Sequence, residues 1–518
     1  ASIDPYGQGF SSSSMSTRSA THEGYGLFAL VDYAASTGNL NYIDRSRIGA
    51  TGHSAGGNAA IRGANYFGRE AERTGALSKL HSVFVSGYVL TLRKSVLKDV
   101  QSNIGVSYAL YDEGAFRNKL KNGDMRIAPE ALAVVNSGRG KGLKSIRAVV
   151  PGRFYGDLDK RALRVVHNEP LLHPFQPYNG EATANQIAYF EHVFNHSSGL
   201  ATHDQIWHWK ELFGLVAFVI SLIAIIPLGR ILLTTTTFHS LVHRVPEAAP
   251  VPTGTGRIIF WSLFFVGAAI ACASFIPMVD ISKSLFVAAS NRHQTWFFPQ
   301  RMNNPVMLWA LFNGLIGLAL FYLSYRFYGR MHGANPKNWG VRIDRNELVL
   351  TVIAALIIFS LYYLTLFFIN YLFQVDYRFW FIGVRVFQPE MLILLGMYVP
   401  FFLVFFMANS LRVNAAMRFK DELEWKSMLL AGIANSLGLF FIIFIQYTVF
   451  SFTGTVYWTQ NWLYINLLFG IVPVMFILPY FNRYFFKMTG KIYLGPLVTC
   501  LIFIMILLTN TVCYIPIK

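Results

Sequence analysis

Cysteine and charge are both scarce in this chain of 518 residues. It has 3 Cys and 14% charged residues, whereas a soluble globular protein usually carries about 25% charged residues. Cys272, Cys500 and Cys513 all lie in or beside long apolar runs, so the sequence offers neither a disulfide framework nor a Cys-x-x-Cys metal cluster. Walker, dinucleotide-binding and DNA-binding motifs are also absent. We therefore expect no metal, no cofactor and no nucleic-acid partner.

Hydrophobic residues dominate what is present. They make up 53% of the chain, and aromatic residues make up 16%, with 45 Phe. Residues 1–206 hold 22 of the 44 Lys and Arg and 17 of the 27 Asp and Glu, so residues 207–518 are poor in acidic side chains. Apolar helices that face lipid have this composition. The sequence therefore predicts a soluble front part and a membrane-embedded back part.

The back part contains apolar runs that are long enough to cross a bilayer, which takes about 20 residues. Eight spans are predicted, at 212–233, 258–279, 305–328, 348–373, 389–411, 427–450, 462–482 and 493–514. We therefore divide the chain into a soluble domain over 1–198, a linker over 199–211 and an all-α membrane domain of about eight transmembrane helices over 212–518.

Basic residues fall unequally on the two sides of these spans. The loops after spans one, three, five and seven hold 15 Lys and Arg, whereas the loops on the opposite side hold 7. Arg412 is assigned to the loop after span five. The positive-inside rule places the first set of loops in the cytoplasm. We expect an integral protein of the plasma membrane whose soluble domain lies on the outer side. Most of the net charge of +17 then reflects topology.

The spans themselves carry amides and few charges. Asn313, Asn409, Asn435 and Gln446 fall inside predicted spans, where we interpret them as hydrogen-bonding groups between helices. Trp458 to Trp462 fall in an outward loop, where aromatic residues typically act as interfacial anchors, and they also offer a surface on which the soluble domain could rest.

A nucleophile motif stands out in the soluble part. The strand signal Ser46–Thr51 leads into Gly52-His-Ser-Ala-Gly-Gly57, and a helical pattern follows from Asn58 to Arg73. Small residues let the chain turn sharply, so that the Ser hydroxyl projects above the sheet and the next backbone N–H faces a developing oxyanion. Ser54 is the predicted nucleophile and the Ala55 N–H the predicted oxyanion donor.

With this motif the chain resembles the α/β-hydrolase family, in particular its dienelactone-hydrolase-like and esterase-like members. The resemblance covers residues 1–198. Asp4 to Ser11 is similar to the loop after the family's fourth strand, and Glu23 to Ala35 to the helix that leads into the nucleophile strand. The resemblance implies an α/β fold and a catalytic triad in the chain order nucleophile, acid, histidine.

In the α/β-hydrolase family, the acid of the triad lies at the end of a strand that follows the nucleophile in the chain. The strand signal Ile104–Tyr111 leads directly into Asp112 and Glu113. Asp112 matches the place of the family's orienting carboxylate, and Glu113 is the second choice. An ordinary loop-capping role for Asp112 stays open, because Asp commonly begins turns.

In the α/β-hydrolase family, the catalytic histidine lies in the loop between the last strand and the last helix. A strand signal over Arg161–His167 is followed by a loop that contains His173, and a helical pattern covers Ala182–Phe194. His173 therefore matches the family's catalytic base, and His167 is interpreted as a structural residue. His192 and His196, on the terminal helix, are interpreted as surface residues.

The chain departs from the family in two places. It begins at what resembles the end of the fourth strand, so the first strands and the loop that supplies a second oxyanion N–H are missing, and we expect a fragment of a longer chain. The basic, Gly-rich segment Asn136–Lys144 lengthens the connection after the acid. It is interpreted as a solvated surface insertion, with a lid as the alternative.

The resemblance implies a membrane-anchored serine hydrolase of the carboxylesterase type that forms an acyl-enzyme on Ser54. Its expected substrate is an acyl ester derived from a lipid or from the cell envelope, and membrane lipid is its expected surrounding. Two alternatives remain. One is an acyltransferase that uses the same triad, and the other is a transport or signalling protein whose hydrolase-like domain binds a ligand without chemistry.

Overall fold

The chain folds into two compact units, and neither is a single stretch of sequence. The computed structural model describes residues 3–140 and 142–516. Within this part, the first unit comprises residues 3–6, 14–208 and 446–462, and the second comprises residues 7–13, 209–445 and 463–516. The predicted domain boundaries at 198 and 212 remain predictions.

A small parallel sheet forms the centre of the first unit. Its strands are β1 (Gly49–His53), β2 (Ser82–Ser86), β3 (Asn103–Ser107) and β4 (Arg164–His167), in the spatial order β1-β2-β3-β4. β1, β3 and β4 overlap the strand signals at Ser46–Thr51, Ile104–Tyr111 and Arg161–His167. β2 and β3 are buried throughout, as strands covered on both faces must be. The outer edge of β1 is paired with no strand among the described residues.

Helices cover both faces of this sheet. They are α1 (Ser19–His22), α2 (Leu27–Ser36), α3 (Ala55–Thr74), α4 (Lys94–Leu97), α5 (Pro129–Ser137) and α6 (Gly180–Phe194). On one face, Ile61 and Phe67 of α3 pack with Val85 and Val106 of the sheet. On the other face, Tyr189 of α6 belongs to a second apolar cluster built around β4. Alternating strands and helices therefore produce a layered α/β unit.

Long apolar helices make up most of the remaining chain. They are α7 (Trp207–Leu233), α8 (Gly254–Leu285), α9 (Val287–Ser290), α10 (Asn304–Phe327), α11 (Arg345–Phe373), α12 (Glu390–Leu411), α13 (Glu424–Thr453), α14 (Trp462–Asn466), α15 (Leu468–Thr489) and α16 (Leu494–Asn510). Within the described residues, 7 of these helices are long and apolar enough to span a membrane. The chain is therefore an integral membrane protein.

Three features of the back part differ from the sequence prediction. The last predicted span is a shorter apolar helix, α16, so the described residues contain 7 full-length spans and not eight. The domain is not purely helical, because β5 (Tyr377–Phe379) and β6 (Ile382–Val384) form an antiparallel hairpin. The fifth span also continues past Leu411 as a π-helix over Arg412–Ala416, which places Arg412 on a helix and not in a loop.

Candidate active site

Ser54 lies at a sharp turn between strand and helix. β1 ends at His53 and α3 begins at Ala55, and Ser54 between them has φ 56° and ψ −111°. A positive φ is uncommon for a residue with a side chain and is retained where the surroundings enforce it. Here the Ser54 N–H donates to Ser86 O at 2.8 Å, and Ser54 O accepts from Asn58 N at 3.0 Å. The predicted nucleophile therefore has the backbone of a nucleophile elbow.

Two glycines make this turn possible. A Cβ on Gly52 would lie 2.5 Å from the backbone carbon of Gly56, and a Cβ on Gly57 would lie 2.6 Å from Ser86 O. Both contacts are too short for real atoms, so α3 can approach β1 and β2 this closely only because both side chains are absent. Ala55 is the first residue of α3, where a backbone N–H has no acceptor inside the helix.

His173 and Asp112 form a buried hydrogen-bonded pair. Nδ1 of His173 lies 2.6 Å from Oδ2 of Asp112, and the two side chains are 7% and 1% exposed. The other oxygen of Asp112 accepts from Gly114 N at 2.7 Å. Asp112 follows β3, and His173 begins a 3-10 helix after β4. The sheet thus joins two residues that are 61 positions apart.

The charge of Asp112 governs the protonation of His173. Burial by itself lowers the pKa of His173, but the negative charge of Asp112 and its hydrogen bond to the ring raise it, so the net pKa lies above the ordinary value. Glu113 adds to this increase, whereas Arg117 opposes it. The pair therefore stabilises the imidazolium, which a base must become after it takes a proton.

Glu113 holds the main chain of His173 and not its ring. Its Oε2 accepts from His173 N at 2.8 Å, and its Oε1 accepts from the Tyr447 hydroxyl at 2.5 Å. Burial raises the pKa of Glu113 above its ordinary value. Of the two acids considered from the sequence, Asp112 contacts the imidazole and Glu113 fixes the backbone behind it.

A second histidine ring lies against His173. The ring centroid of His53, the residue directly before Ser54, is 4.6 Å from that of His173. Burial, reinforced by the positive charge of His173, lowers the pKa of His53 to about 3. His53 is therefore neutral in the physiological range and does not compete with His173 for a proton.

The hydrogen bond between nucleophile and base is the contact that the structure lacks. Within the described part of the chain, Ser54 Oγ makes no hydrogen bond to His173, and it does not cap α3. Ser54 is partly exposed, and the His53 ring beside it contacts His173. Catalytic hydrogen bonds are often long before substrate binds, so this arrangement is compatible with a triad.

His167 lies away from this group. It ends β4, its ring is 6.3 Å from that of Phe84, and burial lowers its pKa. Glu169, two residues after the end of β4, accepts hydrogen bonds from Ser107 at 2.9 Å and from Asn185 at 2.9 Å. These groups form a partly buried polar cluster.

The segment 446–462 also reaches the site, through Tyr447 and Trp462. The sequence predicted neither the contact of Tyr447 nor the role of Trp462. The Trp462 ring stands edge-on to His173 with centroids 5.3 Å apart and an angle of 84°. Arg117 lies 5.2 Å from the centre of the same Trp462 ring, and its Nε donates to Gly114 O at 3.1 Å. In the sequence, the aromatic run at 458–462 indicated that this segment forms a surface. It did not indicate which of its residues would contact His173.

The described residues contain no group of three His, Cys, Asp or Glu side chains placed to hold a metal ion. Comparison with models of protein families, with curated proteins and with solved structures found no match to this chain.

Proposed function

We propose that this protein is a membrane-embedded serine hydrolase that cleaves acyl esters. The observation that carries the proposal is the buried hydrogen bond between Asp112 and His173, at 2.6 Å, which follows in chain order a Ser at a strained strand-to-helix turn. This combination is that of an α/β-hydrolase, and the parallel sheet with helices on both faces supports it.

In the proposed mechanism, Asp112 accepts a hydrogen bond from the Nδ1–H of His173 and so leaves the unprotonated Nε2 as the base. Ser54 Oγ rotates toward Nε2 when substrate binds, transfers its proton and attacks the ester carbonyl. The Ala55 N–H donates to the oxyanion. The tetrahedral intermediate then expels the alcohol, which takes the proton from His173, and leaves the acyl group on Ser54. Water activated by His173 releases the carboxylic acid and restores the serine.

The electrostatics of the site suit this cycle. His173 must be neutral to begin and positive halfway through, and Asp112 stabilises the positive state. His53 contacts His173 and stays neutral, so it adds no repulsive charge when the imidazolium forms. We further propose that the first unit lies on the outer side of the plasma membrane, as the positive-inside rule indicates, and that the substrate is an ester of a lipid or of the cell envelope.

Labelling with a fluorophosphonate probe tests the proposal. The full chain in detergent should be labelled, and Ser54→Ala should abolish labelling. Ser36→Ala is the matched control, because Ser36 is exposed and its hydroxyl is hydrogen-bonded within α2. An unlabelled wild type, or equal labelling of Ser54→Ala, would overturn the catalytic assignment.

Two alternatives remain. The Ser54 hydroxyl, which makes no hydrogen bond to His173, favours a domain that binds a ligand without catalysing a reaction. That alternative predicts that the fluorophosphonate probe does not label the wild type. Acyl transfer predicts labelling as hydrolysis does, but the acyl group passes to an alcohol or amine. Product analysis with an added acceptor alcohol separates hydrolysis from transfer.

A further inference from the structure

A narrow cavity lies within the second unit, among α8, α10, α12 and α13. Its volume is about 170 Å³. Along α10 its lining extends from Trp309 to Ser324, a length of about 22 Å at about 1.5 Å per residue. Most of the wall is apolar, with Trp309 and Phe405 in ring contact at one end. Such a volume spread over such a length fits one slender chain.

Arg412 brings a positive charge to this apolar wall. It is the first residue of the π-helical segment that continues α12, and its side chain lines the cavity. One of its terminal nitrogens donates to Asn435 Oδ1 at 3.0 Å, whereas its buried Nε has no acceptor among residues 3–140 and 142–516. A buried guanidinium N–H without an acceptor costs free energy, because all five of its N–H groups are strong donors.

Arg483, in the same unit, differs from Arg412 because its charge is paired with a carboxylate. It forms an ion pair with Glu424 at 3.0 Å and donates to Asn414 Oδ1 and to Val413 O. Glu424 is also paired with Lys487 at 3.1 Å. No carboxylate lies within 4 Å of Arg412 in the part of the chain that the structure describes. Its positive charge is therefore uncompensated in an apolar setting, and such charges in membrane proteins mark functional sites.

Amides fix the position of this guanidinium. Asn435 accepts from Arg412 and also from Asn409, and its own Nδ2 donates to Met475 O at 2.6 Å. Asn482 donates to Asn409 at 2.9 Å. These contacts confirm that amides join the helices, and they hold Arg412 at the cavity. The Nδ2 groups of Asn409, Asn435 and Asn482 all donate to other acceptors, so the unpartnered N–H of Arg412 is the donor left to recognise an anion.

We propose that this cavity binds a long-chain fatty acid, with its carboxylate at Arg412 and its acyl chain along the apolar wall. A guanidinium pairs with a carboxylate through strong charge-assisted hydrogen bonds. The slender shape favours a single acyl chain over the two chains of a phospholipid. The inference uses only residues of the second unit, so it does not depend on the proposed hydrolase activity.

Photo-crosslinking tests the proposal on the full chain in detergent. The probes are a palmitic acid that carries a diazirine on its chain and the matching diazirine alcohol. We expect the acid probe to label peptides of α8 and α10, unlabelled palmitate to compete, and the alcohol probe to label at least about tenfold less, since a charge-assisted hydrogen bond is lost. Arg412→Gln should reduce labelling by the acid probe by a similar factor.

A pair of glycine variants provides a control for folding. A Cβ on Gly267 or on Gly396 would meet nothing within 4 Å, and both glycines lie inside long helices. Gly267 lines the cavity and Gly396 does not. Gly267→Leu should therefore fill the cavity and abolish labelling, whereas Gly396→Leu should label as wild type does.

Three results would each overturn the proposal. They are equal labelling by the acid and the alcohol probes, wild-type labelling of Gly267→Leu, and competition by dipalmitoyl phosphatidic acid as strong as that by palmitate. Gel filtration would reveal whether Arg412→Gln fails to fold. In that case, the comparison of Gly267→Leu with Gly396→Leu still tests whether the cavity binds the acid probe.

Discussion

The carboxylate of Glu113 accepts a hydrogen bond from the backbone N–H of His173 at 2.8 Å. The adjacent residue, Asp112, holds the ring of the same histidine at 2.6 Å. Two consecutive acids thus control one residue, one through its main chain and the other through its side chain. The Tyr447 hydroxyl donates to the remaining oxygen of Glu113, so Glu113 links the segment 446–462 to the backbone of His173.

Tyr447→Phe should weaken this arrangement without changing the triad. Loss of one hydrogen bond to a buried carboxyl group should lower the free energy of unfolding by about 1–2 kcal/mol. Because the backbone of His173 is then held less firmly, we expect fluorophosphonate labelling to slow several-fold. Tyr457→Phe is the control, since Tyr457 lies in the same segment and is 59% exposed. Equal labelling rates for both variants would contradict this role of Tyr447.

Asp112→Asn should leave the site folded and remove most of its reactivity. The amide cannot stabilise the imidazolium, and it can favour the wrong tautomer of His173. In serine hydrolases with a triad this change costs about 10⁴-fold in turnover, and we expect the rate constant for labelling to fall at least about 100-fold. Asp159→Asn, in an exposed loop, is the matched control. A rate within a few-fold of wild type would remove Asp112 from the proposed triad.

The labelling rate should rise with pH, because only neutral His173 can take the proton of Ser54. Burial by itself lowers the pKa of His173, but the charge of Asp112 and its hydrogen bond to the ring raise it by more, so the net pKa lies above the ordinary value. The midpoint should therefore lie above about pH 6.5, and Asp112→Asn should move it to lower pH. A wild-type midpoint at or below that value would contradict the assignment.

The same pair makes stability depend on pH. Folded His173 has the higher pKa, so between the unfolded and folded values the folded state binds more protons. The stabilisation by the pair is fully present below the unfolded pKa and is lost as pH rises through the folded pKa. The difference in free energy of unfolding between wild type and Asp112→Asn should therefore shrink with rising pH. Denaturant titrations at several pH values measure this difference.

Local sequence patterns predicted much of the first unit. β2 and β3 are buried throughout, and the segment around the end of β1 carries the glycines that a tight turn requires. Asp112 and His173 were predicted because their places after strands match those that the resemblance to the α/β-hydrolase family implies, and the structure brings them together. A triad would also join Ser54 to His173, but the described residues show no such hydrogen bond, because sequence spacing does not determine a side-chain rotamer.

Contacts between distant parts of the sequence were not predictable in the same way. Tyr447 and Glu113 are 334 positions apart, and Tyr447 lies at the end of an apolar helix where nothing in the local pattern distinguishes it. Arg412 was assigned to a loop because a basic residue after an apolar run normally ends a span. The structure continues α12 through it as a π-helix. The hairpin of β5 and β6 was missed because each strand has only 3 residues.

Two adjacent glycines should respond oppositely to the same substitution. Gly57→Ala would place Cβ 2.6 Å from Ser86 O, the oxygen that also accepts from Ser54 N. We expect a loss of about 1–3 kcal/mol in the free energy of unfolding and slower labelling of Ser54. A Cβ on Gly56 meets nothing within 4 Å, so Gly56→Ala should be neutral or stabilise α3 by up to about 1 kcal/mol. Comparable losses for both variants would contradict this account of the turn.

Membrane orientation can be measured with two introduced cysteines. Asn122 and Lys337 are both exposed, one in the first unit and the other in a basic loop of the second. Because loops rich in Lys and Arg stay in the cytoplasm, a membrane-impermeant maleimide added to sealed cells should label Asn122→Cys and spare Lys337→Cys. Cys500 and Cys513 are buried, and Cys272, which is partly exposed, is replaced by Ser in the background. Both cysteines should react after detergent is added, which shows that each is accessible. The reverse pattern in sealed cells would place the Ser54 site in the cytoplasm and restrict its substrates to esters found there.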